Sequence, residues 1–125
     1  MSIVVDLDQL ATTLGEYPYG YLLTTSGGAV KAVTVTAEVV EGRVRIPVGS
    51  NGSARNLADN PTATLLFPPP KPRGYSLIVD GTARTTDDGF VLEPATAVLH
   101  RPADHADPGT PHTHDAGCGN DCRPV

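Results

Sequence analysis

The chain has 125 residues, a hydrophobic fraction of 39% and a formal net charge of −5, which suits one compact domain of ordinary size. Its apolar runs are far shorter than the ~20 residues of a membrane-spanning helix, its amino terminus lacks the basic and apolar regions of a signal peptide, and its acidity argues against nucleic-acid binding. We therefore expect a cytoplasmic protein without membrane or nucleic-acid partners.

Most of the predicted elements are strands. Thirteen Gly and twelve Pro indicate many turns and favour β structure over a helix bundle. An amphipathic helix is predicted first, over residues 6–14, with Asp6 as its cap and Gln9 in the capping-box position. Period-two alternation of apolar side chains then predicts six strands, at residues 19–25, 30–40, 43–48, 62–67, 76–86 and 90–100.

One short helix interrupts the run of strands. It is expected over residues 53–60, with Ser53 as its N-cap and Pro61 directly after its end. Glycine-containing turns join neighbouring strands, and Pro94 indicates an edge or a bulge in the last one. The predicted fold class is therefore mainly β: a small, closed or partly closed six-stranded barrel with one N-terminal helix and one short connecting helix.

The end of the chain differs in composition from the rest. From residue 101 onward, Val125 is the one larger aliphatic residue and aromatic residues are absent, so this segment cannot bury enough apolar area to offset its ordering entropy. We predict a folded domain at residues 1–100 and an extended tail containing Pro, His and Cys at residues 101–125. Its donor types suit zinc: His112, His114, Cys118 and Cys122. A tail without metal and a thiol pair that oxidises are the alternatives.

The segment GSNGSARNLADNP, residues 49–61, carries the candidate chemistry. Backbone N–H groups at a helix start, the hydroxyls of Ser50 and Ser53, and the guanidinium of Arg55 together form a donor set suited to a phosphate group. From these residues alone, a capped helix with a solvated arginine is the competing interpretation.

Residues 53–61, read as Ser-Ala-Arg-Asn-Leu-Ala-Asp-Asn-Pro and followed by an apolar strand, resemble the pyridoxamine 5'-phosphate oxidase-like family of flavin-binding split barrels. The segment SLIVDGTA at residues 76–83 is similar to the Gly-containing strand of that family, and the order of elements also fits. The resemblance implies a six-stranded split β-barrel that binds FMN or a deazaflavin. It also implies a homodimer with the cofactor at the subunit interface, and oxidation or reduction of a small organic substrate.

The resemblance also implies which residues contact the cofactor. Ser53 and Arg55 match the residues that hold the phosphate. The end of the third strand and the second strand match segments that face the flavin; the residues concerned are Val48, Gly49, Ser50, Ala32, Val33, Thr34 and Val35. Ala54 stands where the family often has a second basic residue, and Lys31 is a near match to an arginine of the second strand. The C-terminal portion that contacts the vitamin substrate in true pyridoxamine phosphate oxidases is absent, so that activity is not expected.

Three hypotheses about function follow from the sequence. The barrel is either an oxidoreductase or a non-catalytic protein that binds or senses flavin or haem, and the His/Cys tail makes metal handling a third hypothesis. A deazaflavin carries an anionic polyglutamate tail, for which basic side chains are candidates: Arg43, Arg45, Lys71 and Arg73. Solvated charge is the ordinary alternative for each.

The tyrosines near the first strand, Tyr17, Tyr19 and Tyr21, either stack on a ring, pack in a dimer seam or belong to the core.

Overall fold

A computed structural model describes residues 1–102, so nearly all of the predicted tail lies outside the described residues. Eight strands, two α-helices and one short 3-10 turn form within them. In chain order they are β1 (Ser2–Val4), the 3-10 turn (Leu7–Gln9), α1 (Leu10–Leu14), β2 (Gly20–Ser26), β3 (Ala29–Val35), β4 (Glu38–Val40), β5 (Arg43–Ile46), α2 (Asn51–Asp59), β6 (Thr62–Phe67), β7 (Ser76–Thr86) and β8 (Gly89–His100).

The strands form one antiparallel sheet whose two ends are close in the chain. The strand order is β3-β2-β6-β7-β8-β5-β4, and β1 pairs with the far end of β8. Only residues 36–37 separate β3 from β4, and a link of that length spans at most about 11 Å. The sheet must therefore curl until the end of β3 lies near the start of β4, and in the described residues no ladder joins these two strands. This is a split barrel, so the predicted mainly-β fold with two helices is confirmed.

The strand count differs from the prediction in two places. The stretch at residues 30–40 divides into β3, which pairs with β2, and β4, which pairs with β5. Alternation of side chains continues through the division, because both halves bury one face against the same core, so the sequence pattern does not mark it. The strand β1 was not predicted, since it is three residues long and all of its residues are exposed.

The core fills the barrel, and the helices close its ends. Phe67 and Phe90 are the largest fully buried side chains, while α1 contributes Leu10 and Leu14 and α2 contributes Leu57. α1 is shorter than predicted and is preceded by the 3-10 turn, and the side chain of Asp6 makes no capping hydrogen bond. The expected capping box at Asp6 and Gln9 is therefore wrong.

The bulge expected at Pro94 is present. Asp80 pairs with Thr96, whereas the next residue, Gly81, pairs with Pro94, so β8 carries one extra residue. A Cβ on Gly81 would lie 2.0 Å from the carbonyl oxygen of Glu93, so this close approach of two backbones requires glycine.

Candidate functional site

The start of α2 is set by a serine three residues earlier than predicted. Ser50 has an extended backbone, and its Oγ accepts a hydrogen bond from the N–H of Ser53 at 3.2 Å. The helix therefore begins at Asn51 with Ser50 as N-cap, and the prediction that Ser53 is the N-cap is wrong. Both serines are good capping residues, and the observed choice places Ser53 inside the first turn, on the buried side of the helix.

A row of polar side chains fastens α2 to the end of β2. Thr24 is fully buried, so its hydroxyl needs a partner from the helix. Three hydrogen bonds link the two elements: Asn56 donates to Thr24 at 3.1 Å, Asn60 donates to Thr25 at 2.9 Å, and Ser26 donates to Asp59 at 2.8 Å. These contacts fix the position of the helix, and therefore of its first turn, against the barrel.

A lysine of β3 lies across that first turn. A Cβ built on Gly52 would be 2.6 Å from Lys31 Cε and 3.2 Å from Lys31 Nζ, so the absence of a side chain at Gly52 leaves the space that the lysine occupies. The ammonium group therefore adjoins the partially positive end of the helix. Within residues 1–102, Lys31 forms no ion pair. In the sequence, Lys31 was only a near match to the arginine of the family's second strand. Nothing in the sequence indicated the role of Gly52.

The first turn of α2 presents donors without partners. Across the described part of the chain, the N–H groups of Asn51 and Gly52 find no acceptor, and neither does the buried Oγ of Ser53. Arg55 is exposed and forms no ion pair with another described residue. A buried hydroxyl without a partner lowers the stability of the fold by about 1–3 kcal/mol. The first turn of α2 therefore combines hydrogen-bond donors that lack acceptors with two cationic side chains that lack ion pairs among the described residues.

The donor set fits a phosphate monoester. Backbone N–H groups at a helix start and two flexible cations are suited to an oxyanion of this kind. Gly49 stands beside the turn, and a Cβ on it would meet nothing within 4 Å, so a ligand can approach from that side. The side chain of Val48, the first of the three residues predicted at this strand end, packs against the core.

The predicted residues of β3 divide between two faces. Val35 is buried, and Val33 packs against the core, whereas Ala32 and Thr34 are exposed. Side chains alternate along a strand, so a flat ring on the outer face would touch only Ala32 and Thr34. Because β3 is an edge strand in the described sheet, its free backbone N–H and C=O groups also lie open to a heterocycle.

The arginines considered for a basic groove are engaged by carboxylates. Arg43 Nε lies 2.6 Å from Glu93, and Arg45 lies 2.6 Å from Glu38 and 2.5 Å from Asp88. Both arginines line a groove of about 250 Å³ on the outer side of β5, β7 and β8, apart from the start of α2. Their charges are balanced, so this groove is a weaker candidate for an anionic tail than the turn at α2.

The three tyrosines have separate roles. Tyr17 packs against the core, its hydroxyl donates to the carbonyl of Tyr75 at 2.8 Å, and burial raises the pKa of its phenol. Tyr19 and Tyr21 form an edge-to-face pair with centroids 5.8 Å apart. A hydrogen bond with Tyr19, and then its charge, raise the pKa of Tyr21. The core interpretation therefore holds for Tyr17, while the other two form a pair on the outer surface.

The predicted zinc ligands belong to the tail. His112, His114, Cys118 and Cys122 lie outside the described residues. Among residues 1–102, no group of three or more His, Cys, Asp or Glu side chains could hold a metal ion. In the same part of the chain, each helix is too short or too polar to cross a bilayer.

Several solved structures share this fold. The fold matches that of the FAD binding protein from Mycobacterium smegmatis, with a TM-score of 0.60, 16% identity, and coverage of 81% of this chain and 100% of that one. A Corynebacterium glutamicum protein assigned as a pyridoxamine 5'-phosphate oxidase gives a TM-score of 0.61 at 12% identity, covering 82% and 100%. A heme binding protein from M. smegmatis gives 0.51 at 20% identity, covering 79% and 52%. The predicted resemblance to this class of split barrels is confirmed at the level of the fold.

Two mycobacterial sequences define the family. The chain is 39% identical, over an alignment of 135 positions, to the uncharacterized protein Mb0449c of Mycobacterium bovis and to the uncharacterized protein MT0457 of Mycobacterium tuberculosis. Each alignment covers 94% of this chain and 92% of the relative. The chain belongs to the same protein family as these two proteins. No protein-family model matches the sequence.

Proposed function

We propose that this protein binds FMN, or a deazaflavin, and uses it to oxidise or reduce a small organic substrate. We further propose that it does so as a homodimer with the cofactor at the subunit interface. The observation that carries the proposal is the set of unpartnered donors at the first turn of α2, which suits a phosphate. The FAD binding protein from M. smegmatis, which has the same fold, supports a flavin as the molecule that carries this phosphate.

Each part of the proposed site has a separate task. Lys31 and Arg55 neutralise the phosphate, and the N–H groups of the first turn of α2 orient it. The exposed side chains of β3, Ala32 and Thr34, are small enough for a ring to approach the strand. A bound flavin supplies hydride and electron transfer, while the chain positions the ring and excludes other reactions.

Binding of FMN and riboflavin tests the phosphate assignment, because riboflavin lacks the phosphate. We expect Lys31→Ala and Arg55→Ala each to weaken FMN binding by about 1.5–3 kcal/mol, the range of a charge-assisted hydrogen bond, and to leave riboflavin binding unchanged. Arg84→Ala is the matched control, since Arg84 lines the groove beside Arg43 and Arg45, whose lining contains no residue of α2. Fluorescence titration of the flavin measures all of these affinities, and the same titration with a deazaflavin distinguishes the two cofactors.

Equal FMN affinity in the wild-type chain and both site variants would contradict the phosphate assignment. A wild-type chain that binds none of these cofactors would contradict the function itself. A spectrum and mass analysis of any small molecule that co-purifies provides an independent check of the cofactor's identity.

A non-catalytic role is the second candidate, because a heme binding protein from M. smegmatis has the same fold. Anaerobic addition of a reduced nicotinamide separates the two: bleaching of the flavin absorbance supports the oxidoreductase, and an unchanged spectrum supports a carrier or sensor. A Soret band in the purified protein would favour haem over flavin.

A further inference from the structure

We propose that Tyr21 of β2 is the residue against which the ring system of a bound flavin packs, and that Tyr19 holds the Tyr21 side chain in position for this contact. This role rests on the proposed function and deepens it, because the site has so far been defined only at its phosphate end and on β3. The strand register, the sizes of the neighbouring side chains and the contact between the two tyrosines support it.

The strand register puts Tyr21 beside the part of β3 that is open to a ring. Tyr21 is directly opposite Thr34, and Ala32, two residues before Thr34, is its diagonal neighbour. Opposed residues of antiparallel strands point to the same face of the sheet, and an aromatic side chain also reaches its diagonal neighbours. Gly20 and Leu22 are buried, so alternation turns Tyr21 to the outer face. Tyr21 therefore adjoins both exposed side chains of β3.

The side chains on this part of the outer face form a step. Ala32 and Thr34 are small and exposed, whereas Tyr21 on the next strand carries a phenol ring and is half-buried. β3 is an edge strand of the described sheet, so the low side of the step is open to a ligand. A flat ring that lies over the small side chains of β3 therefore meets the aromatic side chain of Tyr21 as its boundary.

The distance along β3 agrees with the length of FMN. Lys31 lies across the first turn of α2, where the phosphate is proposed to bind, and Thr34 follows three residues later. At about 3.4 Å per residue, these positions are roughly 10 Å apart along the strand. The extended ribityl chain between the phosphate and the ring of FMN has a similar length. A ligand that runs from Lys31 toward the end of β3 thus brings its ring beside Tyr21.

The other neighbours of Tyr21 suit an uncharged heterocycle. Leu66 is opposite Tyr21 on β6, and Leu23 is the next outward residue of β2; both side chains are half-buried. A ring that extends past Tyr21 therefore meets apolar groups. An ionic group of a ligand is accommodated better at the first turn of α2, beside Lys31 and Arg55.

Tyr19 restrains the Tyr21 ring. The two rings are nearly perpendicular, at 88°, and their centroids are 5.8 Å apart, an arrangement that the quadrupoles of aromatic rings favour. A hydrogen bond with Tyr19 is the first of the causes that raise the pKa of Tyr21. The phenol of Tyr21 therefore keeps its proton at neutral pH, and an uncharged aromatic ring faces the ligand.

Flavin fluorescence tests the contact directly. A tyrosine phenol in contact with a flavin quenches the emission of the flavin ring by electron transfer, whereas phenylalanine does not. We expect bound riboflavin and FMN to be quenched in the wild type and several-fold brighter in Tyr21→Phe, with unchanged affinity because the aromatic ring remains. Tyr75→Phe is the control and is expected to leave the emission unchanged, since the Tyr75 hydroxyl contacts Met1 and its ring contacts Arg101.

Affinities from equilibrium dialysis separate the ring end of the site from its phosphate end. Tyr21→Ala is expected to weaken the binding of riboflavin and FMN equally, by roughly 10-fold, as for the loss of an aromatic contact and its buried area. Lys31→Ala is expected to weaken only FMN. Tyr19→Ala should reduce the quenching and Tyr19→Phe should preserve it, because the edge-to-face contact needs only the ring.

The outcomes distinguish this role from the proposed function. A protein that binds flavin but is equally bright with tyrosine or phenylalanine at position 21 overturns the contact and leaves the function standing, and so does wild-type riboflavin affinity in Tyr21→Ala. Unchanged quenching in Tyr19→Ala overturns the role of Tyr19. A wild-type chain that binds neither flavin overturns the function and this role together. If circular dichroism shows that Tyr21→Ala is misfolded, the emission of Tyr21→Phe decides.

Discussion

Ser50 and Ser53 lie three residues apart at the start of α2 and have opposite hydrogen-bonding states. The hydroxyl of Ser50 accepts the N–H of Ser53, so it compensates one of the donors that every helix start leaves open. The hydroxyl of Ser53 is buried without a partner among the described residues. In a protein that binds nothing here, this arrangement lowers stability without benefit, so the two serines provide a test of the site at the level of single atoms.

Alanine at these two positions is expected to change stability in opposite directions. Ser53→Ala removes an unpartnered buried hydroxyl and should raise the free energy of unfolding of the cofactor-free protein by about 1 kcal/mol. Ser50→Ala removes the cap and should lower it by about 1 kcal/mol. Urea denaturation measures both, and FMN titration of the same variants should show weaker binding. Destabilisation by Ser53→Ala would contradict the unpartnered state of its hydroxyl.

For single residues of the candidate site, the sequence predicted which side chains take part better than it predicted how they are arranged. Ser50, Ser53 and Arg55 were identified because hydroxyls and guanidinium groups at a helix start suit an anion. The contact between Lys31 and Gly52 could not be predicted in the same way, because it joins two elements and depends on the angle at which α2 crosses the end of β3. The hydrogen bonds between α2 and the end of β2 hold the helix in its position.

The elements around β5 are joined by ion pairs at the surface. Arg45 bridges Glu38 on β4 and Asp88 in the turn between β7 and β8, so it connects two hairpins that are distant in sequence. The hydrogen bond from Arg45, followed by that from Thr86, holds the pKa of Asp88 below its ordinary value. The hydrogen bond to Asp88, followed by that to Glu38, raises the pKa of Arg45.

The effect of Asp88→Asn should therefore depend on pH. Because the folded-state pKa of Asp88 is lowered, its contribution to stability is present above the ordinary Asp pKa of 3.8 and is lost as pH falls through the folded value. We expect the variant to melt slightly below the wild type at pH 7 and at the same temperature near pH 2, with a smaller difference at high salt. Asp87→Asn, in the same turn, should melt like the wild type at both pH values. Thermal melts that differ equally at both pH values would contradict the assignment.

The barrel as a whole shows what a period-two pattern can and cannot predict. Alternation located the strands because one face of each is buried, and the Pro94 bulge followed from the missing N–H of proline. The pattern gave no information on which strands pair. It therefore missed the division between β3 and β4, where the chain leaves the edge beside β2 and joins the edge beside β5. It also missed β1, whose pairing with β8 depends on the other end of the chain.

The division of the molecule into barrel and tail is testable by truncation. The described residues form a hydrophobic core among themselves, and the composition of residues 103–125 predicts little further apolar burial. A chain that ends at residue 102 is therefore expected to melt within about 4 °C of the full chain, a difference below 1 kcal/mol for a domain of this size. A much larger decrease would show that the tail contributes to the fold.

The same pair of proteins tests the metal hypothesis for the tail. If His112, His114, Cys118 and Cys122 bind zinc, the full chain should retain about one equivalent after dialysis and the truncated chain none, because thiolate and imidazole ligands bind this ion tightly. Replacing both cysteines by serine in the full chain should also abolish retention, which separates ligation from a general effect of the tail. Metal-free full-length protein after exposure to zinc under reducing conditions would exclude the site. Equal FMN affinity in all of these proteins would then assign cofactor binding to the barrel alone.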